Sequence, residues 1–132
     1  IVTIYSEYNR GSNLLVSRSF NDSIIAKYLN DNFYMVKLIA ESQDTIIVGE
    51  QVFINENKVQ NYPHQLPIAL LGGKMFYPSI LFLDETSQII NKVQGFVHPP
   101  GLEPFIYYFG EGKYKTEDWV EFNKTFQSSF KK

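Results

Sequence analysis

Short apolar runs rich in β-branched and aromatic residues alternate along the chain with segments whose apolar residues recur at helical spacing. The first pattern is typical of buried β-strands and the second of amphipathic helices. Strands are predicted at residues 1–5, 33–39, 79–83 and 89–94. Two further β-rich runs within residues 45–54 surround Gly49-Glu50, and this arrangement predicts a β-hairpin.

Capping residues indicate where the helices of the first half begin and end. A polar loop at residues 6–12 leads into one or two helical turns at residues 13–18. Asn21 or Asp22 caps a second helix, which ends at residues 30–32. The apolar face of this second helix consists of Ile24, Ile25, Tyr28 and Leu29.

Three more helices are predicted in the second half of the chain. Pro67 suits the first turn of a short helix that Gly72 and Gly73 end. Two prolines open the next helix at residues 99–109, and Thr116 caps the last one. The apolar stripes of these last two helices contain Leu102, Phe105, Ile106, Phe109, Trp119, Phe122 and Phe126.

Composition narrows the class of protein. The mixture of strands and helices predicts an α/β fold, and 132 residues fit a single domain over residues 1–132. A hydrophobic fraction of 44% excludes wholesale disorder. The net charge of -2, without a basic patch, argues against a nucleic-acid partner. Apolar runs such as residues 80–83 are too short to insert across a membrane.

Several short motifs follow one another along nearly the whole chain. They are Ser19-Phe20, Tyr28-Leu29-Asn30-Asp31-Asn32-Phe33, Val36-Lys37-Leu38, Tyr77-Pro78-Ser79, Phe82-Leu83-Asp84, Tyr108-Phe109-Gly110-Glu111 and Trp119-Val120-Glu121-Phe122. In these motifs, their order and their spacing, the chain resembles the thioredoxin-like family found widely in Bacteroidetes. The resemblance implies a thioredoxin-like fold, with a central mixed β-sheet flanked by helices and a β-hairpin insertion near residues 45–54. Family members usually carry a further helix and strand before the motif strand, so we expect an upstream segment that this chain lacks.

The chain departs from the family at the redox motif, because it contains no cysteine. Counting back from Phe20, the four motif positions are held by Asn9, Arg10, Gly11 and Ser12. Thiol-disulfide exchange needs a thiolate at the first of them. An amide and an unactivated hydroxyl cannot replace it. We therefore expect no thiol-disulfide oxidoreductase activity and no catalytic residue.

The resemblance also implies a cis-proline loop at Tyr77-Pro78 that faces the motif loop. In such a loop the backbone of Tyr77 pairs with an extended peptide by strand addition. A proline at a strand start is more often trans, so the cis isomer is inferred from the resemblance alone. Gly95 and Phe96 follow the last strand nearby, and with residues 9–12 they complete the expected partner-binding surface. The alternative for residues 9–12 is an ordinary capped loop without a partner.

Other side chains offer little chemistry. Four aromatic residues suit a groove between the two landmarks, although at least half of them are expected in the core: Tyr5, Tyr8, Phe76 and Tyr77. His64 and His98 have no carboxylates at ligand spacing, so we expect surface or capping residues and neither a metal nor a cofactor.

These observations predict a redox-inactive domain that acts as a protein-interaction or structural module in a larger bacterial assembly, with a protein or an extended peptide as its partner. One alternative is a chaperone-like module that holds unfolded peptides, with residues 45–61 as a flap. Another is an enzyme with non-thiol chemistry, which requires a cluster of carboxylates or histidines that the sequence does not show. Because many family members are exported, the resemblance implies a periplasmic or otherwise extracytoplasmic location, and a cytoplasmic one stays open.

Overall fold

The computed structural model of the chain describes residues 1–57 and 62–130 and has a mixed α/β architecture. The strands are β1 (Val2–Tyr5), β2 (Val36–Ile39), β3 (Ile46–Val48), β4 (Gln51–Phe53), β5 (Ser79–Leu83) and β6 (Ile89–Gln94). The α-helices are α1 (Arg10–Leu14), α2 (Ser23–Asn32), α3 (Gln65–Leu70), α4 (Pro99–Gly110) and α5 (Trp119–Thr125). A π-helix at Leu15–Phe20 continues α1, and a 3₁₀-helix lies at Lys113–Lys115. Within the described ranges, no helix is both long enough and apolar enough to cross a bilayer.

Four strands form a mixed sheet in the order β2-β1-β5-β6. β1 is parallel to β2, whereas the β1–β5 and β5–β6 pairs are antiparallel. The carboxyl ends of β1, β2 and β6 therefore lie at the same end of the sheet as the amino end of β5. The register places Tyr5 opposite Ile39, and Ser79 opposite both Ile4 and Gln94. The term sheet end is used below for the side of the sheet at which β1, β2 and β6 end and β5 begins.

The residues group by their contacts into two compact units. The first contains Ile1–Asn13 and Val36–Gly95, and the second contains Leu14–Met35 and Phe96–Lys132. The core of the first unit consists of Ile4, Leu38, Ala40, Leu71 and Leu81. Leu66 and Leu70 of α3 and Ile46 of β3 pack against this core. Helix α3 and the hairpin are thus both anchored on the sheet by apolar side chains.

The predicted hairpin is present as the β3–β4 pair, with Gly49 in its turn at a φ of +62°. A positive φ is cheap only for glycine, which explains the turn at this point. Ile47 lies opposite Val52, and the two side chains are 67% and 58% exposed. Residues 58–61, at the end of the predicted flap, lie outside the described residues.

The second unit packs through aromatic rings. Phe105 of α4 stacks on Trp119 of α5 with ring centroids 4.6 Å apart, and Tyr108 contacts Phe122 at 5.0 Å. In the middle of α4 the carboxylate of Glu103 is fully buried. It accepts hydrogen bonds from the Ser128 hydroxyl at 2.7 Å and from the Ser129 N–H, which fastens the chain after α5 to α4.

Two predicted helix starts are wrong. Helix α1 begins at Arg10, so that Arg10, Gly11 and Ser12 are helical rather than part of a loop. The side chain of Asn9 makes this possible, because its Oδ1 accepts a hydrogen bond from the Ser12 N–H at 2.8 Å. The last helix is capped by Asp118 and not by Thr116, since the Asp118 carboxylate accepts from the Val120 N–H.

One predicted strand is too long. Residues 33–35 precede β2 and do not join the sheet, which begins at Val36 opposite Val2. Phe33 instead packs against the Tyr28 ring of α2, with centroids 6.4 Å apart. Packing against a helix therefore overrides the strand preference of this aromatic residue.

Candidate functional site

The sheet end brings together segments that are far apart in the chain. Residues 6–9 follow β1, Glu41 follows β2, Tyr77 and Pro78 precede β5, and Gly95 follows β6. Two backbone hydrogen bonds tie neighbouring strands here, from Ala40 N–H to the Tyr5 carbonyl and from Gly95 N–H to the Pro78 carbonyl, both at 2.8 Å. The structure thus places the loop before α1 and the proline loop together at the sheet end, within the first unit.

The two positions expected for motif cysteines are occupied by side chains with internal partners. Asn9 lies just before α1, and its Oδ1 accepts the Ser12 N–H. Ser12 is fully buried, and its Oγ accepts a hydrogen bond from the Ser6 N–H at 3.1 Å. The Asn9 N–H in turn donates to the Ser6 carbonyl at 3.2 Å. These contacts match the capped-loop alternative, because both polar groups satisfy nearby backbone instead of pointing toward a partner.

The remaining two motif positions differ in exposure. Arg10 is exposed at the start of α1, whereas Gly11 is half-buried. The neighbouring loop residues Glu7 and Tyr8 are also exposed. Any partner at this loop therefore meets Arg10, Glu7 and Tyr8 first.

The Tyr77–Pro78 peptide bond is cis, the isomer that the resemblance implies. Pro78 is buried, and the half-buried Tyr77 ring packs against the core of the first unit. The neighbouring backbone is engaged, because the Pro78 carbonyl accepts from Gly95 and the Phe76 carbonyl accepts from the Ser79 hydroxyl at 2.5 Å. In contrast, the backbone N–H and C=O of Tyr77 have no hydrogen-bond partner among residues 1–57 and 62–130.

The four candidate aromatic residues divide evenly. Tyr8 and Phe76 are 57% and 51% exposed, whereas Tyr5 and Tyr77 are half-buried. The Phe76 ring lies beside Gly95, where an added Cβ would stand 3.6 Å from its Cε1. Exposed aromatic surface therefore borders the unpaired backbone of Tyr77. Phe96 belongs to the second unit, so its place on the same surface stays a prediction.

Glu41 was not singled out for this site from the sequence. It directly follows Ile39-Ala40 at the carboxyl end of β2, and its Oε1 atom is buried without a hydrogen-bond partner in the described part of the chain. Burial, and then the negative charge of Glu41, raise the pKa of the Tyr77 phenol. The sequence carries no local signal for this placement, because it follows only from the pairing of β2 with β1.

His64 is a capping residue, one of the two roles expected for it, but it is fully buried rather than at the surface. Its Nδ1 accepts the Leu66 N–H at 3.0 Å at the start of α3, and its Nε2 lies 2.7 Å from the Asp44 carbonyl. His98 precedes α4 and is exposed. Among residues 1–57 and 62–130, no three His, Asp or Glu side chains form a group that could hold a metal ion.

The second unit has a shallow groove of about 490 Å³ that contains none of the candidate residues. Tyr28 and Tyr107 line it and stack on each other with ring centroids 4.0 Å apart. The Tyr28 hydroxyl is buried and finds no hydrogen-bond partner within the described ranges.

Comparison with known proteins identifies no relative: no protein-family model, no curated protein and no solved structure matches the chain.

Proposed function

We propose that the chain is a redox-inactive, thioredoxin-like module that binds an extended segment of another protein at the sheet end. The fold assignment is supported by the sheet order β2-β1-β5-β6, with one parallel pair and two antiparallel pairs. It is also supported by the order of the elements along the chain, in which α1 and α2 come between β1 and β2 and α4 follows β6. The motif order described above supports the same assignment.

The proposed lack of redox chemistry is supported by the residues at the two positions where the family carries cysteine, Asn9 and Ser12. Without a thiol, no mixed disulfide can form with a substrate. The Asn9 amide and the Ser12 hydroxyl are instead engaged with the backbone of residues 6–12. Their contacts give these side chains a structural role in starting α1.

One observation carries the binding proposal: the backbone N–H and C=O of Tyr77 are unpaired among the described residues. A backbone donor and acceptor on one residue suit the addition of an extended strand, in which the main chain of the partner supplies both hydrogen bonds. The exposed rings of Tyr8 and Phe76 offer apolar area to the side chains of such a strand. The module would thus bind the main chain of the partner segment through Tyr77 and the side chains of that segment through the surrounding aromatic rings.

The test begins with peptides selected on the folded chain from a random dodecapeptide display library. The tightest peptide is then titrated into ¹⁵N-labelled protein. We expect the largest shift changes at the amides of Tyr77, Tyr8 and Gly95. Changes confined to the opposite end of the sheet, around Val2 and Val36, or the absence of any selected peptide, would overturn the proposal.

A pair of matched double variants gives a second readout. Tyr77→Ala with Arg10→Ala is expected to weaken the selected peptide on the order of tenfold or more. Tyr34→Ala with Arg18→Ala removes the same residue types from exposed positions of the second unit and should leave the affinity unchanged. A single recurrent sequence among the selected peptides supports a defined partner, whereas many unrelated sequences favour the chaperone-like alternative.

A further inference from the structure

Glu41 is held rigidly at the sheet end. Its neighbour Ala40 is fully buried and donates its N–H to the Tyr5 carbonyl, and the Ala40 carbonyl accepts the N–H of His64 at 2.7 Å. The Ser42 N–H donates to the Ile39 carbonyl at 3.1 Å, which closes a turn with Glu41 inside it. The backbone position of Glu41 is therefore set by β1, β2 and the start of α3.

One oxygen of the Glu41 carboxylate is buried without a partner among residues 1–57 and 62–130. Its Oε1 is buried, yet no described residue donates a hydrogen bond to it. The ion pairs found among the described residues are Lys27–Asp31 and Lys124–Glu121, both exposed and both in the second unit. A carboxylate with one oxygen buried and without a donor is poorly compensated. The Glu41 residue as a whole is half-buried, so the carboxylate can accept a donor supplied from outside.

The carboxylate lies at the same end of the sheet as the proposed strand-addition site, because β2 ends there and the Tyr77–Pro78 loop precedes β5 there. Tyr77 packs against the core cluster that contains Ala40, the residue before Glu41. Burial, and then the negative charge of Glu41, raise the pKa of the Tyr77 phenol, which agrees with this placement. A metal ion is a poorer fit for this acceptor, because the described residues offer no group of three ligands.

We propose that Glu41 selects partners with a lysine or arginine side chain at one position of the bound segment. This inference rests on the proposed function, since the basic side chain reaches Glu41 only when the segment lies along Tyr77. The bond formed would be charge-assisted, with the ammonium or guanidinium donating to the half-buried Glu41 carboxylate in a site partly withdrawn from water.

The experiment uses N-acetylated, C-amidated hexapeptide mixtures in which each position in turn is fixed as lysine, as its uncharged isostere norleucine, or as glutamate. Binding is measured on the wild type and on two variants, Glu41→Gln and Glu50→Gln. Glu50 is the matched control, because it is an exposed carboxylate of the same unit that lies in the turn of the β3–β4 hairpin and outside the candidate site. At one position we expect lysine to be favoured over norleucine by about tenfold in the wild type and in Glu50→Gln. In Glu41→Gln the preference should fall to within about twofold.

A salt series on the wild type provides a readout that needs no variant. A partly buried pair is weakly screened, so the lysine preference should survive at about 0.5 M NaCl. Equal loss of the preference in both variants, or its disappearance in salt, would show general surface attraction and overturn the role of Glu41. Peptides that shift the Tyr77 amide without preferring lysine would overturn this inference and leave the proposed function standing. No shift of the Tyr77 amide with any mixture would remove both.

Discussion

The hydroxyl oxygen of Ser12 accepts a hydrogen bond from the backbone N–H of Ser6 at 3.1 Å, and both residues are buried. This bond ties the first turn of α1 to the residue that follows β1. Together with the Asn9 cap it holds the loop between strand and helix in one conformation. The fourth motif position, Ser12, thus has a structural use that does not depend on a thiol.

Ser12→Ala should lower the free energy of unfolding by about 1–3 kcal/mol, because it leaves the buried Ser6 N–H without an acceptor. Urea denaturation followed by circular dichroism measures the effect. Ser17→Ala, at an exposed position of the π-helix, is the control and should change stability by less than about 0.5 kcal/mol. Equal stability of the two variants would contradict the role given to the Ser12 hydroxyl.

Introducing cysteines at Asn9 and Ser12 tests the proposed thioredoxin-like assignment. In the double variant Asn9→Cys, Ser12→Cys the first thiol stands just before the start of α1, where a helix N-terminus lowers a thiol pKa. We expect dithiothreitol-dependent reduction of insulin by the double variant and none by the wild type or Asn9→Cys alone. A folded double variant without activity would count against the thioredoxin-like assignment.

His64 should be more sensitive to alanine than to asparagine. His64→Ala removes the acceptor for the Leu66 N–H and the bond to the Asp44 carbonyl, and is expected to cost about 2 kcal/mol or more. His64→Asn keeps a capping oxygen and should recover part of this loss. Thermal unfolding of the three proteins gives the comparison, and equal melting temperatures for the two variants would refute the capping role.

Removal of the hydroxyl should change the free energy of unfolding differently at Tyr28 and at Tyr108. The Tyr28 hydroxyl is buried without a described partner, so Tyr28→Phe should be neutral or stabilising. The Tyr108 hydroxyl donates to the Glu117 carbonyl at 2.7 Å, so Tyr108→Phe should cost about 1 kcal/mol. Urea denaturation at neutral pH of both variants provides the measurement, and destabilisation by Tyr28→Phe would point to a lost partner.

The Tyr28 phenol also predicts a pH dependence. Burial, then the charges of Glu111 and Tyr107, raise its pKa above the ordinary value. A raised pKa in the folded state favours the protonated phenol, so this contribution is complete below about pH 10 and is lost as the pH rises further. Stability measured from pH 9 to 12 should therefore fall less steeply in Tyr28→Phe than in the wild type. Parallel curves would contradict the assignment.

Glu103 should hold the chain after α5. Glu103→Ala removes the acceptor for the Ser128 hydroxyl and the Ser129 N–H, and should destabilise the fold by about 1–3 kcal/mol. Amide hydrogen exchange at Ser129 should accelerate more than exchange within α2. Ser128→Ala, which removes one of these bonds, should have a smaller effect, and unchanged exchange in Glu103→Ala would refute the anchor.

Much of the secondary structure could be predicted from local chemistry. β5 and β6 begin and end as expected, because each is a short run of strand formers bounded by turn residues. Gly72 and Gly73 have positive φ values of 62° and 81° after α3, a conformation that only glycine adopts without strain. One prediction that failed was the start of α1. It depends on a hydrogen bond that the backbone N–H of Ser12 donates to the side-chain oxygen of Asn9.

The candidate site could be predicted only in part. Asn9, Ser12, Tyr77 and Gly95 were named from the sequence, whereas Glu41 was not, because nothing local distinguishes it from other acidic residues. The burial of its Oε1, with no partner in the described part of the chain, depends on how β2, the turn after it and α3 meet.

The sequence by itself determined the order of the elements and the lack of any thiol, since both follow from residue types over short stretches. Only the tertiary structure decided that Glu41, Tyr77 and Gly95 lie together at the sheet end, and that the Ser12 hydroxyl has an internal hydrogen-bond partner. Those outcomes depend on which strands pair and in which direction. Strand pairing is set by contacts between residues distant in the chain, and a local pattern does not encode it.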